Sequence, residues 1–320
     1  MENYIGAVDN QNEEQKAKNF KLEEICASIS PVEWVEKTDW TKYPIRNQNG
    51  SLTCVAQTLA LEMGIIAKQK YGEFINFSSS FPYKQRGGDY GGCTSSDIYS
   101  IFPKLGNVLE EIMPSQNMHE EEINSLELKN WYKDLAKSFT IPRIQIPIDF
   151  ETVASTIQAT GKGVMVWFKL SREEWTNEPQ VLLSPITSGH SVTAIDFLLK
   201  GGKKYLVIQD SWGLDQAILG YRLISEEYFK ARCFLASYLK TFDTLNITET
   251  MTRPSFDGSI ISLQKCLKWE GLFPSNIDEI ENYGNITKTG VIAFQKRYGI
   301  SPALGVFGPI TKLKLSILYK

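Results

Sequence analysis

The chain has 320 residues, 42% of them hydrophobic and 22% charged, with a formal net charge of −3. This is the balance of a globular protein with room for one large domain and a small one, and it excludes nucleic acid as the main partner, since phosphate binding needs a clustered basic surface. No apolar run approaches the roughly 20 residues of a membrane span. The N-terminus lacks the basic start and apolar core of a secretory signal, so the protein is made for the cytoplasm, leaves by another route, or has lost a leader.

Residues 1–38 are charged and weakly patterned, an extension with one short helix expected around "FKLEEICASI". In "LTCVAQTLALEMGIIAKQKYG", Val55, Leu59, Leu61, Ile65 and Ile66 recur at helical spacing, and Gly72 is the expected stop. Glycines cluster into a loop at "RGGDYGGCTSS". A second helix is expected in "SSDIYSIFPKLG", kinked or shortened at Pro103. After about residue 140 the character changes, and "RIQIPI", "GVMVWFKL", "HSVTAIDFLL", "KKYLVIQDSW" and "GYRLI" read as strands. The "LKGGKK" between two of them is a hairpin turn. Helices followed by strands predict an α+β domain with a cleft between its parts.

The polar stretch "TFDTLNITETMTRPSF" reads as a linker, and a small all-α unit follows it. There "YGNITKTGV" and "FGPITKLKL" form a repeat at a spacing of 24 residues, with Thr287 and Thr311 read as helix caps. The expected division is a 1–38 extension, a 39–245 domain, a 246–255 linker and a 256–320 domain.

Five cysteines (Cys26, Cys54, Cys93, Cys233 and Cys266), odd in number and without a CxxC pair, argue against a zinc site and a full disulfide framework. No metal or cofactor is expected. His119 and His190 are the two histidines. A cysteine is a nucleophile only as thiolate, and a helix N-terminus and a nearby imidazolium both favour that form. The imidazole then needs a partner on its other nitrogen, and a tetrahedral intermediate needs oxyanion donors. Cys54 opens its helix, and Gln48 lies six residues earlier beyond a glycine turn. Antiparallel pairing across the "KGGKK" hairpin sets His190 beside Asp210, with Trp212 covering the pair. His119, among acids, reads as a solvated loop residue. Asp196 lies six residues, about 20 Å of extended chain, from His190 and is too far to orient it.

These pieces in this order resemble the papain-like cysteine peptidases. "DWTKYPIRNQNGSLTCVAQTLALE" resembles their active-site segment, with the same Gln-to-Cys spacing. "SGHSVTAIDF" resembles the histidine strand, "YLVIQDSWGLDQAILGYRLI" the Asn-Ser-Trp-Gly segment, and "DYGGC" the glycine pair lining the cleft. The resemblance runs from about residue 39 to 240 and implies a two-part fold, a helical half and an antiparallel β half with the active-site cleft between. It implies Cys54 as nucleophile, His190 as acid/base partner, Asp210 as its orienter, Gln48 as oxyanion donor and Trp212 as shield. Gly91 and Gly92, favoured over Gly87 and Gly88, would hold substrate backbone.

Three departures stand out. Asp210 replaces the family's usual asparagine, which predicts tuned activity. Ser51 and Asp89 stand where many members carry a disulfide pair, and Val55 follows the nucleophile where tryptophan is common. The C-terminal "SLQKCLKWEGLF", "YGNITKTGVIAFQKRYGI" and "GVFGPITKLKL" resemble a peptidoglycan-binding domain. Together the resemblances imply a peptidase acting on polypeptides, tethered to bacterial cell wall through residues 256–320 and active at the envelope. The alternatives are a catalytically inactive wall-binding or structural protein, or an amidase or acyl transferase using the same triad.

Overall fold

A computed structural model describes residues 5–19, 31–88, 91–176, 180–242 and 254–319. The expected "FKLEEICASI" helix, Cys26, Asp89 and most of the 246–255 linker lie outside the described residues. The chain divides into two compact units, 1–244 and 245–320. No helix among the described residues is long and apolar enough to cross a membrane.

In the first unit a short helix α1 (Glu13–Asn19) precedes the main helix α2 (Cys54–Tyr71). The apolar spacing read in the sequence packs α2 into the core, and all of its residues from Cys54 to Ala67 are buried. Gly72 ends it at φ 80°, its N–H on the Lys68 carbonyl, a left-handed conformation that glycine takes without steric cost. No side chain caps the other end, so the unpaired N–H groups of the first turn gather at Cys54, its first residue.

All five expected β runs are strands. They are β2 (Arg143–Ile146), β3 (Val164–Leu170), β4 (Ser188–Lys200), β5 (Lys203–Gln209) and β6 (Tyr221–Ser225). Two more were not expected: β7 (Cys233–Leu239) and the two-residue β1 (Ile5–Gly6). The sheet order is β2-β7-β3-β4-β5-β6, its neighbours antiparallel, while β1 lies parallel on the start of β4. Gly201 and Gly202, with φ of 58° and 73°, turn β4 into β5 as the hairpin requires.

Three helices cover or edge one face: α3 (Phe150–Thr160), α4 (Arg172–Thr176) and α5 (Glu226–Arg232). There Val164, Val166 and Phe168 pack with Phe150, Val153, Trp175 and Phe229. On the other face Leu61 and Ile65 of α2 meet Ile195, Leu198, Val207 and Leu223. Each such side chain taken from water contributes about 1.5–3 kcal/mol, and together they fix α2 across the strands that carry His190 and Asp210. A buried ion pair adds direction. Arg143 of β2 bonds Glu62 of α2, which also accepts the Met165 N–H at 3.1 Å.

The expected second helix differs from its reading. Asp97–Ile101 form a wide, π-type turn that runs into Phe102–Leu105. Pro103 lies in the first turn of that last piece, where a missing N–H leaves no bond unmade, so it opens a helix and does not kink one.

The second unit holds α6 (Ile260–Trp269), α7 (Asn285–Arg297) and α8 (Pro309–Leu318) around Leu263, Leu267, Val291, Phe294 and Leu315. Thr287 and Thr311 are not the caps the sequence suggested. Gly284 and Gly308 hold the cap positions. The two threonines are buried in the first turns and accept the amides of Gln264 and Gln295, each at 2.9 Å. The same amides bond the Asn282 and Val306 carbonyls, so the repeat is a twice-used glutamine clamp between helix and preceding loop.

Candidate active site

Cys54 begins α2, and His190 is the third residue of β4, opposite Phe168 of β3. The Ser191 hydroxyl donates to Thr58 at 3.0 Å and Thr58 donates to the Cys54 carbonyl at 2.9 Å, which ties β4 to the first turn of α2. Asp210 follows β5, whose last residue, Gln209, pairs with Thr193 of β4. The hairpin thus brings Asp210 beside His190. The imidazole Nε2–H donates to Asp210 Oδ1 at 2.8 Å, and the Cys54 side chain lies near enough to the ring to act on its charge. All three residues are 5% exposed or less.

Asp210 accepts more than the histidine. The Ser211 N–H reaches Oδ1 at 2.7 Å, while Trp175 Nε1–H and Arg222 Nε–H both reach Oδ2 at 2.8 Å. Burial opposes a charged carboxylate here, yet His190 and Arg222 outweigh it and hold Asp210 well below the usual carboxylate range. Burial likewise disfavours the His190 imidazolium, but Asp210 and then Cys54 raise its pKa to about 9. The ring lies between two indoles, Trp175 at 5.4 Å and Trp212 at 5.2 Å between centroids. Trp212 therefore stands where a shield was expected.

Trp175 and Arg222 escaped the sequence reading. Trp175 belongs to a five-residue helix with no motif around it. Arg222 left a visible signal, a charged residue inside the strand run "GYRLI". It is fully buried and also donates to the Trp175 carbonyl at 2.7 Å.

Gln48 is buried in the turn before α2. Its Oε1 accepts the Ser211 hydroxyl at 2.6 Å, its backbone N–H bonds the Ser211 carbonyl at 2.8 Å, and its amide donates to the Ser51 carbonyl. Through Ser211, whose N–H reaches Oδ1 of Asp210, it is linked to that carboxylate.

The glycine rim is occupied by the chain itself. Gly6 N–H donates to the Gly91 carbonyl at 3.1 Å, Ala7 N–H to Gly189 at 3.0 Å and Val8 N–H to Cys93 at 3.2 Å. The fit is close, because a Cβ on Gly92 would lie 2.2 Å from the Gly6 oxygen and one on Gly6 2.0 Å from the Gly189 oxygen. Residues 5–8 thus run between Gly91–Cys93 and the β4 end next to His190, where substrate backbone was expected.

The remaining candidates lie elsewhere. His119 is exposed, as expected, and stands just before the helix Glu120–Ser125 as its N-cap, with its N–H on Glu122 at 2.7 Å. Asp196 follows a bulge in β4 and is paired with Lys37 and Lys42. Burial pushes the Cys93 thiol well above its ordinary pKa and that of Cys233 to about 12, so neither is poised as a thiolate. Among the described residues no group of three or more His, Cys, Asp or Glu side chains could hold a metal ion.

Xylellain, a cysteine protease from Xylella fastidiosa, superposes with a TM-score of 0.58 at 17% identity, covering 74% of this chain and 96% of its own. The fold is that of the papain-like cysteine proteases. The ragweed pollen allergen Amb a 11, a cysteine protease in its proform, gives a TM-score of 0.46 at 16% identity, covering 63% of this chain and 64% of its own. Bromelain from Ananas comosus, in complex with the E64 inhibitor, gives 0.48 at 18% identity, covering 62% and 94%. Residues 257–315 match the family described as "Putative peptidoglycan binding domain". No curated protein matches the chain. The papain-like fold accounts for the order in which the active-site segment, glycine loop, histidine strand and "DSWG" segment occur.

Proposed function

We propose that the protein is a cysteine peptidase that cuts polypeptides through Cys54, His190 and Asp210 and is held at bacterial cell wall by residues 257–315. The support that matters most is the buried grouping of Cys54 at a helix start, the His190 imidazole near it and the Asp210 carboxylate bonded to that ring at 2.8 Å. In this reading the Cys54 thiolate, favoured by the helix N-terminus and the imidazolium, attacks the scissile carbonyl carbon. The oxyanion is met by the Cys54 N–H and by the Gln48 amide hydrogen not given to Ser51. His190 then donates its proton to the leaving amine, and the acyl group remains on sulfur as a thioester. Water, deprotonated by His190, attacks the thioester and restores the thiolate and imidazolium.

The test is product analysis. The reduced full chain, mixed with a peptide library, is expected to yield new N-termini within the peptides, and Cys54→Ala to yield none. Products lost only from side-chain amides would favour the amidase reading instead. For the tether, the full chain should pellet with purified sacculi, and a chain lacking 257–315 should stay in solution; equal pelleting would overturn it. One observation favours a second reading, a protein without turnover: residues 6–8 already occupy the carbonyls of Gly91, Gly189 and Cys93. Cleavage by the intact chain would overturn that reading.

A further inference from the structure

The reading of Cys54 as a thiolate, on which this inference rests, leaves a charge to be balanced. A thiolate, an imidazolium and a carboxylate in a buried cluster sum to −1, and uncompensated buried charge is costly. Among the described residues, few groups face this cluster. From the glycine loop comes Cys93, near Cys54. From α4 come Arg172, whose guanidinium lies 5.9 Å from the Trp212 ring, and Glu174, which is taken up by Arg232 and Tyr228. From β6 comes Arg222, in direct contact with Asp210 Oδ2 at 2.8 Å.

Arg222 is built into its place. It is wholly buried, its Nη1 is fixed by the Trp175 carbonyl at 2.7 Å, and its guanidinium lies 5.0 Å from the Trp175 ring and 5.7 Å from the Trp212 ring. The same two indoles flank His190. One arginine thus holds the outer carboxylate oxygen while packing on both rings that confine the imidazole. Asp210 stands where the resemblance led us to expect a neutral asparagine.

We infer that Arg222 is a positioning residue that neutralises Asp210, so that the Asp210–Arg222 pair serves His190 as a single uncharged partner would. A purely structural arginine would affect folding and leave the titration of the site unchanged. A balancing one must move it, in a direction fixed by charge. Removing a positive charge raises the pKa of nearby groups, and removing a negative one lowers them.

The measurement is the pH dependence of Cys54 alkylation by iodoacetamide in the reduced full chain, followed by mass spectrometry, with thermal unfolding recorded beside it. It needs no substrate. In the native protein the rate is expected to rise as the thiolate forms and to change again as His190 loses its proton. Arg222→Met should shift both inflections upward by about 1 pH unit. Asp210→Asn should shift both downward by a similar amount, and the double variant should return them to near their native positions. Arg222→Lys, which keeps the charge, should move them less than Arg222→Met. Should Arg222→Met fail to fold, Asp210→Asn and Arg222→Lys decide the matter. Inflections that stay put in Asp210→Asn, or shifts that do not cancel in the double variant, would overturn the inference while leaving the peptidase reading intact. A native profile with one ordinary thiol titration would overturn that reading, and this inference with it.

Discussion

At the scale of single residues, the site depends on how a buried histidine titrates. The His190 pKa, raised to about 9 by Asp210 and Cys54 against the effect of burial, lies above the roughly 6.5 expected in the unfolded chain. Folding therefore binds a proton more tightly at His190. The stability this adds is whole below about pH 6.5 and is lost as the pH rises through about 9. Thermal unfolding of the native chain and of His190→Gln across pH 6 to 10 should show a gap that narrows over that window; a constant gap would contradict the pairing. The place of Cys54 at a helix start was legible from the helical spacing that begins there, and that of His190 beside Asp210 from the glycine hairpin joining two apolar strand runs. Trp175 was not, since it reaches Asp210 across 35 residues of sequence from a short helix without periodicity. Arg222 could have been found by asking why a strand centre carries a charge.

At the scale of elements, α2 is held to the sheet by apolar packing and by the Glu62–Arg143 pair, both side chains 1% exposed. Arg143→Met leaves a carboxylate buried without its partner, and such a break costs about 3–5 kcal/mol. Urea unfolding should read that loss, and a change below 1 kcal/mol would mean that the pair is dispensable. The N-terminal strand β1 makes a sharper geometric claim. Gly6 has φ 109°, and a Cβ there would lie 2.0 Å from the Gly189 oxygen. Gly6→Val should therefore unseat residues 5–8, seen as faster hydrogen exchange at Ala7 and Val8, and should speed peptide cleavage by freeing the Gly91 and Gly189 carbonyls. Unchanged exchange would contradict the close fit. The strands of the β half were readable from apolar runs bounded by turn residues. β1 was hidden because two residues held by backbone bonds leave no side-chain pattern. β7 was hidden because "CFLASYL", buried along most of its length, lacks the alternation of a half-exposed strand.

At the scale of the whole molecule, two units divide the labour proposed here, chemistry in residues 1–244 and attachment in residues 245–320. The repeat in the second unit was visible as spaced Ile-Thr-Lys segments, but its physical content was not. A threonine near a helix start reads as a cap, and only the fold reveals Gln264 and Gln295 reaching it from the preceding helix. Gln295→Ala removes the amide that serves Thr311, the Val306 carbonyl and, through its oxygen, the Gly305 N–H. Thr311 keeps its own bond to the Val306 carbonyl at 3.3 Å, but the Gly305 N–H is left unpaired, which costs about 1–3 kcal/mol, so sacculus binding should fall in parallel with the thermal stability of that unit. The central claim, that Cys54 and His190 form a working pair, has a more direct test. The reduced full chain is exposed briefly to iodoacetamide at pH 6, and adducts are mapped over all five cysteines, beside a His190→Ala control. Selective alkylation of Cys54, lost in the control, is the predicted result; equal labelling of several cysteines, or a Cys54 rate indifferent to His190, would contradict it.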